Sequence, residues 1–195
     1  RINGKGARSV DVKKGLVEYQ KDDNSVKNNQ GIDNYYSSTQ LPAYAHSYLL
    51  TAILSADYID NDSIKGPSNG DVGNYTKFNY DKIDNHKWRV PAQRYQASYD
   101  DGLKSRKYDD KANYLYGEKE LWYLKSIETR NQIAVFFLED RKDGCSVIDE
   151  DGGIDASKAK ASKLLRKISL YNKQDYLSNG TKAIPLKEAH FEYDY

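Results

Sequence analysis

The chain has 195 residues, enough for one sizeable domain or two small ones with a buried core. Thirty basic and 29 acidic residues leave a net charge of +1, which excludes a global field steering the protein toward nucleic acid or anionic lipid. Charged residues make up 30%, a balance that leans toward disorder, but 18 tyrosines supply large buriable area with a polar tip and predict a β-rich protein with much loop.

The chain opens on Arg1, has no methionine and stops at "HFEYDY", inside a strand pattern. Both ends predict a piece of a longer polypeptide, whose remainder is its first expected partner, with a glycan or another surface protein as the next. A single cysteine, Cys145, excludes an internal disulfide. No apolar run approaches the roughly 20 residues needed for a transmembrane helix.

Residues 1–40 are expected to form a polar region, with one strand from Val10 to Tyr19 broken by Gly15 and an exposed linker in "KDDNSVKNNQGIDN". Residues 41–195 are expected to form a β-rich domain. "YAHSYLLTAILSADYI" (44–59) fits helical spacing through Leu49, Leu50, Ile53 and Leu54, and alternation through Tyr44, His46, Tyr48, Leu50, Ala52 and Leu54. Its aromatic and β-branched content predicts a strand. "YTKFNYDKIDNHKWRVP" (75–91) predicts a hairpin turning near Asp81 to Asn85, and 92–114 reads as a polar loop.

The strongest signal is "GEKELWYLKSIETRNQIAVFFLED" (117–140), where two apolar runs flank the short link "ETRN" and predict a β-hairpin. Val135 to Leu138 are consecutively apolar, which predicts burial on both faces. An acidic, glycine-rich loop follows, then strands at "KLLRKISLY" (163–171) and "IPLKEAHFEYDY" (184–195). In the last, Ala189, Phe191, Tyr193 and Tyr195 alternate with polar residues, predicting a half-buried strand. The fold class is therefore mostly β: antiparallel strands and hairpins with long loops, as a sandwich or an open β-shell segment.

"LPAYAHSYLLTAILSADYID", "GNYTKFNY", "KWRVP", "YGEKELWYLKSIETRNQIAVFFLEDRKDG", "LLRKISLY" and "AHFEYDY" together resemble a run in very large uncharacterised Bacteroidetes proteins, over about residues 40–195. The resemblance implies a secreted or outer-membrane-associated product, extracellular or on the cell surface, and assigns no activity. The strand phrasing is loosely similar to RHS/YD-repeat proteins, whose strands wind into a β-shell. Of the Asp/Gly loop in those Bacteroidetes proteins, Asp60, Asp71 and Gly73 fall in place here and Asp62 is offset.

Three candidate chemistries stand out. "YIDNDSIKGPSNGDVGNY" gathers Asp60, Asp62 and Asp71 beside glycines and a proline; calcium takes six to eight oxygens from such loops, but an Asx/Gly/Pro turn is the plainer expectation. Trp88 and Trp122 are the candidates for stacking a glycan, set against ordinary cross-strand packing. His46, His86 and His190 are far apart in sequence and lack transition-metal spacing, and His46 and His190 are read as structural histidines within strands. No nucleophile–base, P-loop or dinucleotide motif occurs. The resulting expectation is a non-catalytic structural or binding module, with glycan binding as the alternative and a hydrolase with an acidic cleft as the second.

Overall fold

A computed structural model describes residues 2–4, 10–28, 35–103, 106 and 109–195. The protein is mostly β, with 44% strand and, among the described residues, one α-helix, and its sheets are antiparallel. Parts of the expected linker (29–34) and of the 92–114 segment (104–105 and 107–108) lie outside the described residues. The chain divides into two compact units interleaved in sequence: residues 1–43, 84–120 and 142–162 form one, and residues 44–83, 121–141 and 163–195 the other.

In the first unit, β1 (Ile2–Gly4), β2 (Val10–Asp11), β3 (Leu16–Glu18), β6 (Gln96–Tyr99) and β7 (Asp110–Asn113) form one sheet in the order β1-β7-β6-β3-β2. Gly15 turns the β2–β3 hairpin at φ +65°, a left-handed conformation that costs glycine little. The core is small: Val17, Ala97 and Ala112 are wholly buried, with Tyr19, Tyr95, Tyr99 and Tyr114 packed around them. Tyrosines thus replace aliphatic bulk. The expected loop at 92–114 contains β6 and β7; each buries an alanine, too weak an apolar signal to read as a strand. The acidic stretch after residue 141 is likewise a small hairpin, β10 (Val147–Asp149) with β11 (Gly152–Ile154).

β4 (Ala52–Leu54), β5 (Tyr75–Val90), β8 (Leu115–Glu128), β9 (Gln132–Asp140), β12 (Lys163–Asn172) and β13 (Lys187–His190) form a sheet in the order β13-β12-β9-β8-β5-β4, of which β5 up to Ile83, β8 from Leu121 and the other four strands belong to the second unit. The β8–β9 hairpin turns through Thr129–Asn131, with Glu128 opposite Ile133. β9 and β12 pair along their length, with one extra residue, Arg166, between the Leu165–Leu138 and Lys167–Phe137 pairs. Ile133, Val135, Tyr171 and Ala183 form the buried cluster, backed by Phe137 and Tyr176. Helix α1 (Lys173–Asn179) follows β12, capped by Asn172, whose side chain accepts from the Gln174 and Asp175 amides.

Four expectations are corrected here. Residues 75–91 do not form a hairpin: β5 runs straight through Asp81–Asn85, because Asn79, Asp81 and Lys82 meet Ser126, Lys125 and Trp122 on an antiparallel β8. Asn85 keeps the turn-like φ of +55° within the strand. Segment 44–59 is strand only at Ala52–Leu54, and the residues before it are exposed without regular structure. β9 is not buried on both faces: Ile133 and Val135 are buried, whereas Phe136 and Leu138 on the opposite face are half-buried. The terminal strand ends at His190 and is exposed throughout, because it is the outer strand of the sheet.

Candidate metal loop and its polar surroundings

The loop between β4 and β5 brings the three predicted aspartates together. One carboxylate oxygen each from Asp60, Asp62 and Asp71 lies within 4.8 Å of the others. Their surroundings differ: Asp60 is exposed, Asp62 half-buried and Asp71 1% exposed. Backbone pairing of Ile59 with Val72 closes the loop. At its neck Gly73 adopts φ +85°, and a Cβ there would stand 2.3 Å from the Asp57 carbonyl oxygen, so no other residue fits.

Asp71 is the hub. Its carboxylate accepts from the Tyr58 hydroxyl at 2.8 Å, the Ser68 amide at 2.7 Å and the Asn61 amide at 3.1 Å. The Tyr58 hydrogen bond, then the two amides, hold its carboxyl below the usual carboxylate range. The same bond pushes the Tyr58 hydroxyl up to about 12. Asp62 accepts from the Ile64 amide at 2.7 Å and the Ser68 hydroxyl at 2.5 Å. Arg130, from the "ETRN" turn, donates through Nη1 to the carbonyls of Asp71 (2.8 Å) and Gly73 (2.7 Å).

Two of the three carboxylates therefore spend lone pairs folding their own loop. A carboxylate has about four acceptor positions, so capacity for a cation remains. The donor set has the oxygen chemistry that suits calcium, but each bond present is explained by the turn alone.

Beside the loop, Lys173 is 5% exposed, and its Nζ reaches Asn69 Oδ1 (2.9 Å), Tyr75 Oη (3.1 Å) and Glu128 Oε2 (3.1 Å). Neither Arg130 nor Lys173 was singled out from the sequence. Both occupy polar stretches where nothing local distinguishes them from solvated charges.

The other candidates are scattered. Trp88 belongs to the first unit, half-buried with its ring against Gly117, where a Cβ would stand 2.7 Å from Nε1. Trp122 belongs to the second unit, is 47% exposed and has Lys82 over its ring. His46 lies outside any strand and is exposed, so it is not a structural strand histidine. His190, in β13, is exposed and lies 3.5 Å from Glu188. His86 is the buried one, with Nδ1 against the Lys160 carbonyl. The acids of the β10–β11 hairpin are structural partners: Asp149 pairs with Arg94, and Asp151 accepts from Tyr19 and Asn24.

No protein-family model, curated protein or solved structure matches the chain.

Proposed function

We propose that this chain is a non-catalytic structural or binding module of a large bacterial surface protein, of the Bacteroidetes kind that its phrases resemble. One observation carries the reading. From Leu41 to Leu54 the chain exposes Leu41, Tyr44, Tyr48, Leu49, Leu50, Ile53 and Leu54, with Tyr48 90% accessible. This continuous apolar run leads into β4, the outermost strand of its sheet. Apolar surface on an open sheet edge is costly in water and favours association, and a module of a larger assembly would have it covered.

The buried charged groups fit the same reading, because Arg89, Lys173 and Asp71 each serve several partners within their own unit. The test is amide hydrogen exchange at Leu49–Leu54 in the isolated chain and in the parent polypeptide. Slower exchange in the parent supports the module reading. Equal, fast exchange in both would refute it.

A further inference from the structure

Asn69, Arg130, Asn172, Lys173, Gln174 and Leu177 line an open recess of about 350 Å³ in the second unit, at the small end of ligand-sized pockets. The hydrogen bonds around it fix what it presents. Asn69 Oδ1 accepts from both Lys173 and Tyr75, and Asn172 Oδ1 accepts from two helix amides. Both amide oxygens are therefore occupied, and the Nδ2 groups remain as donors with no partner among the described residues.

Arg130 is similarly half-used. Its Nη1 is held by two loop carbonyls, which orients the guanidinium. Nε and Nη2, the side-on edge of the fork, have no hydrogen-bond partner among the described residues. That edge matches a carboxylate in two parallel bonds. The lining thus offers fixed amide donors and the open edge of Arg130, with Leu177 as its apolar element, while Lys173 is already bonded to Asn69, Tyr75 and the Glu128 carboxylate.

Asp57 and Asp71 also feel the Arg130 charge, so a ligand must be held by the fork's geometry more than by net charge. We propose that this recess binds an acidic saccharide, with Arg130 Nε and Nη2 gripping a uronate carboxylate and the Asn69, Asn172 and Gln174 amides taking ring hydroxyls. The proposal goes beyond the module reading and places glycan recognition away from Trp88 and Trp122.

The test is titration of the full chain with D-glucuronate, D-glucose and acetate, followed by amide chemical shifts and calorimetry. The expected result is saturable glucuronate binding that shifts the residue 69, 130 and 174 signals. Glucose and acetate should each bind about tenfold more weakly or worse. Arg130→Lys, which keeps charge and loses the fork, should weaken glucuronate about tenfold, or ~1.4 kcal/mol. Because Arg130 also holds the loop, Gln174→Ala is the second variant: its side chain makes no hydrogen bond among the described residues, and it should weaken binding several-fold at unchanged melting temperature. Absence of saturable binding overturns the proposal. So does glucose or acetate binding as tightly as glucuronate, or glucuronate binding unaltered by Gln174→Ala.

Discussion

Arg89 is a buried cation of the first unit with four acceptors around it. It is 4% exposed near the end of β5. Its Nε donates to the Glu150 carbonyl at 2.6 Å, Nη1 to the carbonyls of Pro91 and Gln96, and Nη2 to the Tyr19 hydroxyl at 2.8 Å. The Tyr114 ring lies 4.3 Å from the guanidinium carbon. In Arg89→Met the stem's packing is largely kept, but three carbonyls and a hydroxyl lose their donor. Each buried orphan costs about 1–3 kcal/mol. Some will find water and the costs do not add fully, so we expect a loss of about 4 kcal/mol, a large share of the 5–15 kcal/mol typical of a domain. Arg89→Lys should recover part of it, since one ammonium can serve some of the acceptors but cannot reproduce the planar fork. The assay is urea unfolding followed by Trp88 fluorescence in a Trp122→Phe background, which reports on the first unit. A loss below about 1 kcal/mol in Arg89→Met would refute the reasoning, because the four acceptors would then not depend on this donor.

Asp71→Asn should lower the melting temperature at neutral pH. The native carboxyl is depressed, so its contribution is present above the unfolded value near ~3.9 and is lost as pH falls through the native one; the gap between wild type and variant should close in acid, and a gap constant with pH would contradict this. Glu188, bonded to Lys167 and then Ser169, should titrate at about 2 by NMR, and Lys167→Met should move it up toward the usual carboxylate range. Ile133→Ala, at a 5% exposed site, should cost about 3 kcal/mol in urea unfolding, and Phe136→Ala, half-buried, about 2; the reverse order would mean that the core lies on the other face of β9. Thermal melts with millimolar calcium or chelator should coincide, because the turn's own hydrogen bonds order the loop. A calcium-dependent rise that is lost in Asp60→Ala would make the Asp60–Asp62–Asp71 cluster a metal site.

Local pattern alone specifies the β class, the β8–β9 hairpin and β12. In those segments the apolar runs are long, the polar link is short, and the pattern is local. The candidate aspartates were also legible, because Asp, Gly and Pro in one short stretch specify a turn by backbone preference alone. How the neck of their loop is held was not legible, since the Arg130 donor to its carbonyls arrives from a turn 57 residues beyond Gly73. Nor was it legible that β5 is one strand. The turn-forming residues at Asp81–Asn85 suggested a hairpin, and pairing with β8, some 40 residues away, overrode them. β6 and β7 escaped because their buried residues are alanines, which fill a core lined by tyrosines but leave no apolar period. The apolar stretch at 44–59 predicted a strand, yet only Ala52–Leu54 pairs, because pairing depends on what else reaches the edge of β4. That is a matter of non-local partners, and no periodicity within the run encodes it.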